Sequence, residues 1–245
     1  MEQSDRLVVV LVRARNPNNI GAVARAMHDF GFRHLRVVND YTVPLETARS
    51  AVDASAVVAN ASKWDSVASA VADCTLVVGT SAVGERALEH PLHALPEAAE
   101  AIGAELSSES GRVALLFGSE KTGLSNEELS HCHWLLTIPM EQHEGIRHPS
   151  MNLGQAVAVC LYELVRSPGE HGAKGVSRAA EAGEVERLLA SFTEMLEATG
   201  YTRRHPANCD EAQIRRLVLR MGLAASDVPV WMGIVRQVLW KARGG

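Results

Sequence analysis

Five short runs of aliphatic and β-branched residues, with stretches of helical periodicity between them, constrain this chain more than any other feature. Leu7-Val8-Val9-Val10-Leu11-Val12 is apolar at every position, as a strand covered on both faces requires. Leu35-Arg36-Val37-Val38, Thr75-Leu76-Val77-Val78-Gly79, Val113-Ala114-Leu115-Leu116-Phe117-Gly118 and Trp134-Leu135-Leu136-Thr137-Ile138 repeat the pattern. Between the first two runs, Ile20, Val23, Ala24, Met27 and Phe30 recur at helical spacing, and Gly31 stands where a C-terminal cap belongs. Further helices are predicted over 44–59, 66–72 and 152–165. Strands alternating with helices specify an α/β domain with a mainly parallel sheet and helices on both faces. Ligands of such sheets bind beyond the carboxyl ends of the strands.

Residues 167–175, Ser-Pro-Gly-Glu-His-Gly-Ala-Lys-Gly, combine breakers with small polar side chains and carry no periodicity, which places a linker over 167–183. The sheet domain then spans 1–166 and a helical C-terminal extension spans 184–245. In the extension, Val185, Leu188, Leu189, Phe192, Met195 and Leu196 form one apolar stripe, and Ile214, Leu217, Val218 and Met221 form another, with a third over 230–239.

An apolar fraction of 47% over 245 residues excludes wholesale disorder. No stretch approaches the roughly 20 consecutive apolar residues of a membrane helix, and Met1-Glu2-Gln3-Ser4-Asp5 is acidic where a secretory signal is basic. The expectation is a cytoplasmic protein with no membrane partner. Cys74, Cys132, Cys160 and Cys209 form no C-x-x-C pair, which fits buried reduced thiols rather than a disulfide framework or cysteine zinc site. The net charge of −5 is unevenly distributed: residues 1–40 carry six arginines against four acids, 41–200 ten basic against twenty-two acidic groups, and 201–245 eight against three. Arg203, Arg204, Arg215, Arg216 and Arg220 concentrate the basic tail. Twenty arginines to four lysines suit bidentate phosphate contacts, although a GC-rich genome produces the same bias.

Three segments carry candidate chemistry. In Asn19-Ile20-Gly21-Ala22-Val23-Ala24-Arg25, Asn19 can cap the first helix and Gly21 admits a close neighbour; Arg25 is either a solvated charge or a functional one. Phe117-Gly118-Ser119-Glu120-Lys121-Thr122-Gly123-Leu124-Ser125 is a glycine-rich turn leaving a buried strand. It lacks the P-loop order G-x-x-x-x-G-K-[ST], so it suits a nucleoside better than a triphosphate. Glu120 there can accept hydrogen bonds from hydroxyl or amine groups, and Ser125 with Glu128 has the spacing of a capping box. The third segment runs Ile138-Pro139-Met140, then a polar loop, then Ser150-Met151-Asn152-Leu153-Gly154, with Ser150 a plausible cap for the following helix.

Asn-x-Gly-x-x-x-Arg, Phe-Gly-x-Glu-x-x-Gly-Leu and Ile-Pro-Met followed by Ser-x-Asn-Leu, in that order, resemble the three motifs of the SpoU/TrmH group of SPOUT RNA ribose methyltransferases over roughly residues 5–166. Gly79-Thr80-Ser81-Ala82 and the C-terminal helices are similar to the TrmJ branch of that group, the tRNA cytidine/uridine-32 2′-O-methyltransferases. The resemblance implies a C-terminal trefoil knot in the α/β domain, with S-adenosylmethionine bound in it. By motif matching, Thr80, Ser81, Ala82, Gly118, Ile138, Met140, Ser150, Met151, Asn152 and Leu153 would bind this cofactor, leaving S-adenosylhomocysteine as product. Arg25, Asn19, Glu120, Ser150 and Asn152 would form the catalytic set. Family members are homodimers in which the motif arginine serves the cofactor of the other subunit, so Arg25 would act across an interface on tRNA.

The resemblance implies attack of a ribose 2′-hydroxyl on the sulfonium methyl, without a metal. His131, His133, His143 and His148 suggest a metal site, but no acidic or cysteine partner lies at ligand spacing. Three other readings stand beside this one: ribosomal RNA or another tRNA position as substrate, a non-catalytic RNA-binding protein of the same fold, and an ordinary nucleotide-binding α/β enzyme. The last lacks both G-x-G-x-x-G and a P-loop.

Overall fold

The computed structural model describes residues 3–39, 54–81, 89–141, 151–166 and 178–244. In its first half, β1 (Leu7–Val12) leads into α1 (Pro17–Asp29) and β2 (His34–Val38), followed by α2 (Ser55–Ala59), β3 (Ser62–Trp64), α3 (Val67–Ala70) and β4 (Leu76–Thr80). Then come β5 (Leu92–Ala94), α4 (Leu95–Ser107), β6 (Val113–Phe117), α5 (Asn126–Ser130), β7 (Trp134–Thr137) and α6 (Leu153–Arg166). The seven strands form one sheet in the order β3-β2-β1-β6-β4-β7-β5, every neighbouring pair parallel. Of the helix expected over 44–59, only 54–59 falls within the described residues, and 55–59 is helical. The strands β3 and β5 and the helix α4 were not anticipated.

All six residues of β1 are buried, and they divide by parity. Leu7, Val9 and Leu11 join a core with Ile20 and Met27 of α1, Ile102 of α4 and Val157 and Leu161 of α6. Val8, Val10 and Val12 join a second core with Val67, Leu124, Leu129 and Leu135. Burying each such side chain contributes about 1.5–3 kcal/mol. The sheet is therefore sealed on both faces, which leaves its strand ends as the place for a ligand.

The helix α1 starts earlier than the sequence reading had it. Asn16, not Asn19, is the cap: its side chain accepts from the Asn18 amide at 3.0 Å, and Pro17 occupies the first helical position, where it needs no amide partner. At the other end Gly31 takes φ +82°, and the amides of Gly31 and Phe32 donate to the carbonyls of His28 and Met27. This Schellman ending turns the chain into β2.

On the second face, Arg36 of β2 donates to both carboxylate oxygens of Asp73 at 2.6 and 2.8 Å, with Arg112 3.3 Å from the same group. Burial opposes ionisation of Asp73, but these partners carry its pKa down to about 2. A depressed carboxylate stabilises the fold above its ordinary 3.8 and loses that contribution as pH falls through about 2. Urea titrations of the wild type and Asp73→Asn between pH 5 and pH 2 test this. The wild type is expected to lose its margin over the variant across that interval; a margin independent of pH would contradict the pairing.

The extension comprises α7 (Ala182–Ala198), α8 (Tyr201–Arg204), α9 (Glu211–Leu219) and α10 (Asp227–Ala242). It has its own core, in which Val185, Leu188 and Leu189 meet Ile214, Val218, Val235 and Leu239. α7 begins inside the segment read as a linker, and the amides of Ala182 and Gly183 donate to the carbonyls of Cys74 and Ala72, both at 2.8 Å. The basic tail also needs correction: Arg215 and Arg216 are buried and paired with acids, while Arg203, Arg204 and Arg220 remain exposed. Among the described residues no helix is long and apolar enough to cross a membrane.

Candidate active site

Beyond the carboxyl ends of β4, β6 and β7, the connecting segments enclose a cavity of about 580 Å³. Thr80 and Ser81 enter it at the end of β4. The Thr80 hydroxyl donates to the Leu116 carbonyl at 2.9 Å and the Ser81 amide to the Leu136 carbonyl at 3.0 Å, which ties this strand end to both neighbours. After β7, Ile138 and Met140 line the cavity, and Met151, Asn152 and Leu153 line it at the start of α6.

The turn after β6 supplies another wall. Ser119 and Gly123 pair across it, the Gly123 amide donating to the Ser119 carbonyl at 2.9 Å, with Gly123 at φ +65°. Gly118 lies against the returning strand so closely that a Cβ there would stand 2.1 Å from the Gly123 carbonyl carbon and 2.2 Å from the Leu124 nitrogen. Only glycine fits. The capping box of Ser125 and Glu128 then starts α5.

Hydrogen bonds join the three motif segments. Asn152 Oδ1 accepts from the Gly154 amide at 2.9 Å, so Asn152 caps α6. Its Nδ2 donates to Asn19 Oδ1 at 3.2 Å, and Asn19 Nδ2 donates to Glu120 Oε1 at 2.9 Å. The backbone amides of Arg15 and Asn16 also donate to Glu120, each at 3.4 Å. Because Asn16 caps α1, the amide of Asn19 is free to form this bridge. Burial opposes ionisation of Glu120, yet the hydrogen bonds from Asn19 and the backbone hold its carboxyl below the ordinary value. An ionised Glu120 accepts only, so it orients both asparagine amides.

Of the sequence candidates, Asn19, Thr80, Ser81, Gly118, Glu120, Ile138, Met140, Met151, Asn152 and Leu153 all line the one cavity. Ala82 and Ser150 lie outside the described residues, as do His143 and His148. Arg25 is not brought to this cavity: it is exposed on α1, and among the described residues no group takes its guanidinium in a hydrogen bond or ion pair. The histidines that are described have other partners. His133 Nδ1 accepts from the Val77 amide at 3.1 Å, and burial lowers its pKa to about 4, while His131 stands 3.3 Å from Glu186. No group of three potential metal ligands occurs among the described residues.

Sequence reasoning missed Arg13. Just past β1, at φ 56°, it donates to both oxygens of Glu128 at 2.6 and 2.9 Å and to the Gly123 carbonyl at 3.1 Å. It thereby clamps the turn after β6. An arginine in left-handed conformation is uncommon, but no local pattern announced the contact.

The cavity fits a nucleoside carrying a short polar arm: the volume suits a small cofactor, the Gly118 turn presents backbone, and Leu136, Ile138, Met140 and Leu153 add apolar surface. Residues 6–162 match the family model described as the SpoU rRNA Methylase family. The chain is 33% identical to the tRNA (cytidine/uridine-2′-O-)-methyltransferase TrmJ of Pectobacterium atrosepticum, over 96% of this chain and 97% of that protein. It is 29% identical to the tRNA (cytidine-2′-O-)-methyltransferase TrmJ of Methanocaldococcus jannaschii, over 89% and 94% respectively. The crystal structure of TrmJ from Z. mobilis ZM4 matches the fold with a TM-score of 0.78 at 27% identity, covering 94% of this chain and 98% of that one.

Proposed function

The chain belongs to the SpoU rRNA methylase family, and on that premise we propose that it transfers a methyl group from S-adenosylmethionine to a ribose 2′-hydroxyl of tRNA at cytidine/uridine 32. The single observation that carries this reading is the hydrogen-bond chain Gly154, Asn152, Asn19, Glu120, which joins the first motif segment to two others, each more than a hundred residues further along the chain, at one cofactor-sized cavity. The names of the TrmJ relatives support tRNA as the RNA. S-adenosylmethionine, when bound, supplies a methyl already activated by a positive sulfur. The protein then has to align the hydroxyl, exclude water and help the proton leave.

Thr80, Ser81, Gly118, Ile138, Met140 and Leu153 hold the cofactor in this reading, together with Ala82, Met151 and Ser150. Glu120 and Asn19 fix the orientation of Asn152 toward the hydroxyl. Arg25 comes from the second subunit of a homodimer, where it grips the adjoining phosphate and stabilises developing alkoxide charge. A guanidinium cannot serve as the base at neutral pH, so phosphate or water takes the proton. We infer a trefoil knot at the C-terminal end of the domain. Its support is the strand order, in which β6 enters between β1 and β4, and β7 between β4 and β5. The division into a methyltransferase domain at 1–166, a linker at 167–183 and a helical extension at 184–245, and a cytoplasmic location, complete the proposal.

Incubation with methyl-labelled S-adenosylmethionine and unmodified total tRNA, followed by mapping of the labelled nucleotide, tests it. Label is expected on the ribose of nucleotide 32 in the anticodon loop. Label at another ribose would move the substrate within the same chemistry. Label confined to a base or to protein would refute ribose transfer.

A further inference from the structure

Where α9 of the extension meets α5 of the sheet domain, a buried arginine and a buried serine join the two. The side chain of Arg215 is 8% exposed, and its three nitrogens have three different partners. Nη1 donates to the Ser130 hydroxyl at 2.9 Å, Nε to Glu186 of α7 at 2.9 Å and Nη2 to Glu211 at 2.6 Å. Ser130 is fully buried, and its hydroxyl in turn donates to the Glu127 carbonyl at 2.6 Å. His131, the next residue, stands 3.3 Å from the same Glu186.

The short helix α5 is thus gripped at both ends. Its first turn is fixed by Arg13 through Glu128, and its last residue by Arg215. Between those grips Leu129 faces the cavity, and a Cβ on Gly79 would stand 3.2 Å from its Cδ2, so Leu129 packs beside the end of β4. A five-residue helix has little stability of its own. Its position is set by what holds it, the core packing of Leu129 and the two polar grips, and one of those grips belongs to the extension.

We propose that Arg215 is a positioning residue for the cofactor cavity: by anchoring Ser130 it sets Leu129 and the turn at 118–125, so docking of the extension tunes affinity for the cofactor. This rests on the reading of the cavity as an S-adenosylmethionine site. Coupling of this kind is reciprocal, so cofactor in the cavity also tightens the docking of α9 on α5. An extension engaged with RNA could in this way report to the cofactor wall without touching it.

Titration calorimetry of S-adenosylhomocysteine into the full-length wild type, Arg215→Gln, Arg215→Lys and Ser130→Ala, together with the KM for S-adenosylmethionine and kcat, tests the proposal. Arg215→Gln is expected to weaken S-adenosylhomocysteine about tenfold, to raise the KM in parallel and to leave kcat within about twofold, with partial recovery in Arg215→Lys. Ser130→Ala, which removes one hydroxyl and strands no carboxylate, is expected to move affinity in the same direction and decides the matter should Arg215→Gln fail to fold. Folded Arg215→Gln or Ser130→Ala protein with wild-type affinity would overturn the proposal, since Arg215 would then only fasten the extension. A wild type that fails to bind S-adenosylhomocysteine would instead remove the cofactor reading itself.

Discussion

Arg25→Ala is expected to transfer methyl groups at no more than about 1% of the wild-type rate, because removing one charge-stabilising donor typically costs about a hundredfold to a thousandfold. S-adenosylhomocysteine affinity is expected to stay close to wild type, since in this account Arg25 grips the RNA phosphate and the developing alkoxide rather than the cofactor. The split between rate and affinity is the informative part. An exposed arginine without a described partner, in a surface role alone, could be replaced with little effect. Arg25→Lys should recover only part of the rate, as a lysine keeps the charge but loses the planar fork that grips phosphate. Single-turnover rates on tRNA, paired with calorimetry of S-adenosylhomocysteine, check both halves; near-normal turnover would remove Arg25 from the mechanism.

Gly118→Ala carries the second large effect. The added methyl would meet backbone atoms at 2.1 and 2.2 Å, and backbone cannot swing aside as a side-chain tip can. The turn must open, and overpacking of this kind typically costs about 1–3 kcal/mol, or roughly five- to 150-fold in affinity if it falls on the bound state. S-adenosylhomocysteine binding is therefore expected to weaken by about that factor while the secondary structure persists, because both strand faces keep their packing. Calorimetry with circular dichroism measures it. Wild-type affinity in a folded Gly118→Ala protein would show that the turn does not cradle the ligand.

How much of this was legible in the chain depends on the range of the interaction. The buried strands read directly, since a run such as 7–12 is apolar on both faces and needs no partner to be recognised. β3 and β5 have three residues each, too few for any period to register. The helix α4 does carry a helical stripe at Leu95, Ala98, Ala99, Ile102 and Leu106, but two of its five members are alanines. Pro17 was the available sign that Asn16, not Asn19, caps α1. Arg215 and Arg216 looked like a basic surface because partners such as Ser130, 85 residues away, are chosen by tertiary packing. Glu128 meets Arg13 across 115 residues for the same reason. The motif residues are picked out through a family resemblance, while the amide chain that joins Asn152, Asn19 and Glu120 emerges only from the fold.

Mixing the two variants, at a cofactor concentration too low to fill the Gly118→Ala cavity, tests the shared site most directly. Arg25→Ala keeps an intact cavity, and Gly118→Ala keeps an intact Arg25, so a mixed dimer holds one complete site if the arginine crosses the two-fold. After equal mixing with subunit exchange, about a quarter of wild-type activity is expected, half of the dimers being mixed and each carrying one good site of two. Subunits that exchange and yet stay inactive would contradict an arginine supplied by the neighbouring chain.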